Sequence, residues 1–151
     1  MTSLAYSRAA GPITLGPSLT RITLTGAEAG APGVVMRGVE SGRRVYLVVA
    51  GLHAAAPPGV VYGVYVGLPM DAVPGPDNPF LAGNLNFFGA TDLAPGRPAG
   101  PVTISLDVTA TLQMLASKGL LGGPLDVAMV PVGVPATGSQ PSLGSLTLVM
   151  Q

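Results

Sequence analysis

Clusters of glycine and proline between short apolar runs constrain the fold of this chain more than any other feature. The sequence contains 22 glycines and 16 prolines, concentrated at residues 54–59, 68–79, 94–101 and 134–142. Proline donates no hydrogen bond to a strand ladder and glycine tolerates a positive φ, so these clusters end strands and form turns. We therefore expect an all-β protein, an antiparallel β-sandwich or jelly roll of about seven or eight short strands.

Apolar and polar residues alternate along three of the runs, at residues 19–26, 102–108 and 145–150. A period of two places one side of a strand on a core and the other side in water. These runs are therefore predicted to be strands with a single buried face.

Three other runs, at residues 45–50, 60–66 and 127–132, are apolar at nearly every position. This pattern is typical of central strands that are covered on both faces or that face an interface. The residues predicted to form the core are Val45, Leu47, Val49, Val64, Val66, Ile104, Leu106, Val127 and Leu148.

One short helix is predicted at residues 109–118, with Thr109 as its N-cap and Gly119 at its end. A chain of 151 residues suits one domain with a core of its own. We expect residues 1–10 to be a flexible lead and residues 11–151 to form a single domain.

Composition excludes several classes of function. Seven basic and seven acidic residues cancel, so the chain lacks the charge needed to attract nucleic acid or an anionic membrane. No apolar run is long enough to cross a bilayer, and residues 1–16 lack the pattern of a signal peptide. Charged residues make up only 9% of the chain, against about 25% in soluble domains. This low share suggests that a partner, or copies of the chain itself, cover part of the surface.

Potential metal ligands are few. The chain has no cysteine and one histidine, His53, which is more often a surface loop residue than a ligand when it stands alone. The methionines are scattered singly, which favours a packing role over a copper(I) site. No serine lies in a Gly-x-Ser-x-Gly elbow, and no Walker or dinucleotide motif occurs. We therefore expect no enzymatic activity, no metal and no other cofactor.

The stretch 59–89 resembles the C-terminal domain of tyrosinases and plant polyphenol oxidases. The hallmark of that domain is a Lys-Phe-Asp-Val-Tyr-Val strand, a loop, and a Phe-Ala-Gly-Ser/Asn turn. Here Tyr62-Gly-Val-Tyr-Val66 is similar to the strand and Phe80-Leu-Ala-Gly83 to the turn. Tyr62 stands in place of the phenylalanine and Gly63 in place of the aspartate, so no role of that acid is carried over. Segments before and after this stretch follow the order of the family.

The resemblance implies a non-catalytic domain that caps a copper oxidase domain or assists its folding. In that family a residue on a projecting loop, the placeholder, occupies the substrate pocket until the domain is removed. A dinuclear copper site needs several imidazoles, so a chain with only His53 is not the catalytic domain. The candidates for the placeholder or partner contact are Phe80, Leu81, Phe87 and Phe88, although for Phe88 a role in closing one end of the sandwich is favoured.

Two further interpretations stay open at this stage. One is a structural module that self-associates through strands apolar on both faces. The other is a β-barrel that binds a small ligand in a cavity lined by Tyr46, Tyr62 and Tyr65. A cap is monomeric alone and binds an oxidase, a self-assembling module is a closed oligomer, and a ligand carrier has an enclosed pocket.

Overall fold

Antiparallel strands dominate the computed structural model, which describes residues 3–8, 12–26, 31–87, 89–91, 102–120 and 125–151. Within these residues there are ten strands, and two helices where we predicted one. The predicted all-β antiparallel sandwich is confirmed. The elements are β1 (Ser3–Arg8), β2 (Ile13–Thr14), β3 (Thr20–Gly26), α1 (Ala31–Glu40), β4 (Val45–Leu52), β5 (Tyr62–Val66), β6 (Leu81–Leu85), β7 (Val102–Asp107), α2 (Thr109–Ser117), β8 (Leu125–Pro131), β9 (Ser142–Leu143) and β10 (Ser145–Met150).

Eight of these strands form one sheet in the order β6-β5-β8-β3-β1-β10-β4-β7, while β2 and β9 pair separately. The neighbouring pairs are antiparallel. The two outermost strands approach each other, since a Cβ atom on Gly83 of β6 would lie 3.2 Å from Leu106 Cδ2 of β7. The sheet thus folds over on itself and encloses the apolar core between its two halves.

The strand predictions agree well with the structure where hydrophobic alternation is strong. The last alternating run forms β10 at the predicted residues, between β1 and β4. Ile104 and Leu106 are only partly buried, because they lie on the outermost strand β7. The other predicted core residues are fully buried: Val45, Leu47, Val49, Val64, Val66, Val127 and Leu148.

Part of the segment that we expected to be a flexible lead lies inside the sheet. Residues 3–8 form β1, which pairs with β3 on one side and with β10 on the other. The register runs from Ser3 opposite Met150 to Arg8 opposite Leu146. This strand depends on partners more than a dozen residues away, so its short local pattern gives little indication of it.

Helix α1 was not predicted, because Pro32, Gly33 and Gly38 lower the helix propensity of its sequence. Pro32 lies in the first turn, where a missing N–H costs little. Gly38 has a packing role, since a Cβ atom there would overlap Met150 Sδ. The glycine therefore lets α1 approach the end of β10 closely.

Helix α2 occupies the predicted position, but its start differs from the prediction. The N-cap is Val108, and Thr109 lies in the first turn. Asp107 accepts hydrogen bonds from the Thr109 N–H at 3.0 Å and from its hydroxyl at 2.6 Å. The Thr109 hydroxyl also accepts the N–H of Val45 at 2.9 Å, which ties the helix to β4. In the described part of the chain, both helices are too short for a bilayer-spanning segment.

Candidate functional site

Strand β5, which carries the hallmark-like motif, is buried along its whole length. Because side chains alternate along a strand, Tyr62, Val64 and Val66 share one face and Gly63 and Tyr65 share the other. The first face lies in the main core. On the second face, the Tyr65 hydroxyl donates a hydrogen bond to the carbonyl of Gly75. Gly75 belongs to residues 67–80, which connect β5 to β6 and are called the β5–β6 loop below. The double-faced apolar pattern of β5 is therefore satisfied within one chain.

Two side chains from the sheet hold the β5–β6 loop in place. Arg21 of β3 donates from Nη1 to the carbonyl of Leu68 at 2.7 Å and from Nη2 to the carbonyl of Pro69 at 3.2 Å. Tyr65 of β5 donates from its hydroxyl to the carbonyl of Gly75 at 3.2 Å. The loop is thus attached at its beginning and at its middle.

The end of the loop is fixed by Asn78. Its side-chain nitrogen donates to the carbonyl of Val73 at 3.1 Å, and its side-chain oxygen accepts the N–H of Phe80 at 2.8 Å. An asparagine that bonds the backbone two residues ahead stabilises a turn. The loop therefore has a defined shape, although it lacks regular secondary structure.

Two apolar side chains of this loop point into solvent. Met70 is 80% exposed and Val73 is 83% exposed. They are not among the contact candidates from the sequence, because aromatic side chains are the more typical anchors of a contact and three of them follow at residues 80, 87 and 88. The available signal was their position: they are apolar residues inside a Pro- and Asp-containing loop, outside any alternating run that would bury them.

Gly63 accounts for the position of the Tyr65 ring. A Cβ atom at Gly63 would lie 3.1 Å from Tyr65 Cε1 and 3.3 Å from its hydroxyl oxygen. The ring therefore leans over the glycine and occupies the space where a side chain at position 63 would lie. This residue replaces the aspartate of the family hallmark, so the departure from the motif has a structural consequence here.

The aromatic candidates are not grouped at the surface. Phe80 is 8% exposed and Phe87 is 3% exposed, and the Phe87 ring contacts Tyr62 edge to face at 6.0 Å. Leu81 is partly buried, and Phe88 lies outside the described residues. Phe80 and Phe87 are buried and belong to the domain's own core.

The tyrosines of the ligand-barrel interpretation do not converge. Tyr62 and Tyr65 lie on opposite faces of β5, and the Tyr62 hydroxyl donates to the carbonyl of Gly16 at 3.2 Å. Burial raises the pKa of Tyr62 above its ordinary value, so this phenol keeps its proton at neutral pH. Tyr46 lies on β4, in the other half of the sheet. Each of the first two tyrosines fastens a different loop to the sheet.

The possible metal ligands are also dispersed. The backbone of His53 pairs with Ser142, with N–H to carbonyl distances of 3.0 and 2.8 Å. Met129 and Met150 are buried in the core, whereas Met70 is exposed on the β5–β6 loop. Among the described residues, no three His, Asp or Glu side chains lie close enough together to hold a metal ion.

Comparison with known proteins gives a family and a fold. A model of the family described as "Domain of unknown function (DUF7868)" matches residues 7–151. A comparison with curated protein sequences finds no match. Among solved structures, latent apple tyrosinase is similar at a TM-score of 0.59 and 17% identity, over 93% of this chain and 27% of that chain. Recombinantly expressed latent aurone synthase, a polyphenol oxidase, is similar at a TM-score of 0.58 and 14% identity, over 91% of this chain and 26% of that chain.

The chain therefore spans about a quarter of the length of these oxidases. That share is consistent with their C-terminal domain, and the resemblance drawn from residues 59–89 is confirmed. At sequence identities of 17% and 14%, the similarity shows a shared fold and no more.

Proposed function

The chain belongs to the family described as Domain of unknown function (DUF7868), and we propose that it is a non-enzymatic cap for a copper oxidase domain of the tyrosinase type. The proposal combines the resemblance to the C-terminal domain of plant polyphenol oxidases with the geometry of the β5–β6 loop. In that interpretation the domain acts by contact, covering the substrate pocket of its partner.

A loop that is attached to the sheet and carries exposed apolar side chains supports this proposal most directly. Met70 and Val73 are 80% and 83% exposed, and Arg21 and Tyr65 hold the loop that carries them. Burying a Val or Met side chain contributes about 1.5–3 kcal/mol. Because the loop is already ordered, less of that free energy is lost in fixing its shape on binding.

We assign the placeholder role to Met70 or Val73. Phe80 and Phe87 are buried inside the domain, so their rings are not available as exposed anchors. Leu81 is partly buried next to the loop and contributes at most the edge of a contact. Met70 suits a narrow apolar pocket, because its unbranched side chain adapts to irregular space.

The coding context is the first test of the proposal. A cap requires a tyrosinase-type domain with six copper-binding histidines, encoded in the same reading frame or a neighbouring one. If no such domain is encoded in the genome, the proposed function is wrong.

The second test measures inhibition of that oxidase domain by the purified chain, followed as oxidation of a monophenol. We expect Met70→Asp or Val73→Asp to raise the inhibition constant about thirtyfold, since losing a buried anchor costs on the order of 2 kcal/mol. Val134→Asp is the matched control, because Val134 is 86% exposed on a different segment. Equal inhibition by all three variants contradicts the assignment of the loop, and absence of inhibition by the unchanged chain contradicts the cap.

A further inference from the structure

A concave site lies beside the β5–β6 loop, on the outer face of β5, β6 and β8. It has a volume of about 370 Å³. Tyr65, Leu81 and Asn84 line it from the strands, Pro74 and Pro76 from the loop, and Val132 from the segment after β8. A volume of this size lies at the lower end of the range for small-molecule sites, which suits one ring with a small substituent.

The site is formed before any ligand arrives. Its sheet side rests on β5, where Gly63 leaves room for the Tyr65 ring to lean across the strand. Its loop side is held by the hydrogen bond from the Tyr65 hydroxyl to the Gly75 carbonyl, and Pro74 and Pro76 restrict the backbone around that bond. A rigid lining binds a ligand with little loss of conformational freedom.

The lining determines the charge of the ligand. No Asp, Glu, Lys, Arg or His is among the described residues that line the site. A charged ligand would lose its hydration without gaining an ion pair, which is costly in an apolar setting. The ligand is therefore neutral. The ring of Tyr65, the proline rings and the branched aliphatic side chains offer surfaces against which a flat ring packs.

The polar atoms of the site determine its hydrogen-bonding group. The Tyr65 hydroxyl proton is already donated to Gly75, so this oxygen is available to a ligand only as an acceptor. Asn84 is exposed, and its carboxamide has no hydrogen-bond partner among the described residues. It supplies both an acceptor and donors. A hydroxyl group on a ligand satisfies both residues, because it donates one hydrogen bond and accepts another.

We propose that this site binds a neutral single-ring phenol. The hydroxyl of the ligand interacts with Asn84 and Tyr65, and its ring packs against the prolines, Leu81 and Val132. The proposal does not depend on the capping function, because the site lies within this chain alone.

The experiment titrates the purified full chain into 4-fluorophenol and follows the fluorine NMR signal. Fluorobenzene, which lacks the hydroxyl, and 4-fluorobenzoate, which is charged, serve as matched probes. We expect a saturable shift for 4-fluorophenol, binding of fluorobenzene that is at least about fivefold weaker, and no binding of 4-fluorobenzoate. Absence of a saturable shift up to about 10 mM phenol, or equally tight binding of the benzoate, overturns the proposal.

Two variants test whether the phenol binds at this site. Asn84→Ala removes the carboxamide, and Val132→Asp adds a carboxylate at the rim, where Val132 is 62% exposed. Each is expected to weaken 4-fluorophenol binding at least fivefold, by about 1 kcal/mol or more. Val134→Asp is the matched control, since Val134 lies two residues further along and does not line the site. Binding that is unchanged in Asn84→Ala and Val132→Asp, with thermal melts like that of the unchanged chain, shows that the phenol binds elsewhere and overturns the proposal.

Discussion

Replacing Phe87 by alanine is expected to destabilise the domain strongly, because its ring is part of the core. Phe87 is 3% exposed and lies edge to face against the Tyr62 ring at 6.0 Å and 74°. Removing a buried phenylalanine ring costs about 3–5 kcal/mol, which combines the loss of apolar burial with the cavity that remains. The contact between the two rings places the expected loss in the upper half of that range. A domain of this size has about 5–15 kcal/mol of stability in total, so the loss is a large fraction of it.

Urea unfolding monitored by circular dichroism measures this loss. Phe87→Leu should be intermediate, because it keeps part of the apolar volume. Val73→Ala should change the stability by less than about 0.5 kcal/mol, because Val73 is 83% exposed. In a thermal melt, Phe87→Ala should lower Tm by roughly 8–20 °C, since a loss of about 4–5 kcal/mol shifts Tm by about 2–4 °C per kcal/mol. A loss below about 1 kcal/mol for Phe87→Ala would refute the placement of this ring in the core and return it to the candidates for a partner contact.

Three further substitutions test local features. Gly67→Ala should lower the free energy of unfolding in urea by about 2 kcal/mol or more, since Gly67 has φ +72° and a Cβ atom there would lie 2.9 Å from Leu115 Cδ2. Gly59→Ala, at φ +74° in open space, should cost only about 1 kcal/mol, and equal losses in the two variants would contradict the clash with Leu115. Gly63→Ala should destabilise the fold and increase proteolysis of the β5–β6 loop, because the added methyl group displaces the Tyr65 ring. An unchanged rate of proteolysis would contradict the position of the Tyr65 ring over Gly63. Hydrogen bonds from the side chain and backbone of Thr109 lower the pKa of Asp107, so the Asp107 carboxylate stabilises the fold fully above the unfolded pKa of about 3.9, and this stabilisation is lost as the pH falls below that value. Asp107→Asn should therefore lose less stability than the unchanged chain in an acid titration below about pH 4, and identical profiles would contradict this linkage.

Local patterns in the sequence were sufficient to predict the class of fold. The alternation in residues 145–150 predicts β10, and the glycine and proline clusters mark where strands end. Helix α2 follows from a short helical pattern ended by Gly119, which has φ +68°. These features are decided by residues close together in the chain, because turn chemistry and side-chain periodicity act over only a few positions.

The arrangement of the candidate site required the tertiary structure. Arg21 holds a loop 47 residues further along the chain, and nothing near Arg21 in the sequence indicates that contact. The burial of Phe80 and Phe87 depends on strands contributed from elsewhere in the chain.

The sequence by itself thus determined that this chain forms short antiparallel strands with the hallmark-like β5 among them. Only the tertiary structure decided which apolar residues remain outside. Burial of a side chain depends on which distant segments pack around it, and the hydrophobic effect favours burial of Phe80 as much as burial of Met70. The structure buries Phe80 and leaves Met70 in solvent. Hydrogen bonds of Arg21, Tyr65 and Asn78 fix the path of the β5–β6 loop that carries both residues.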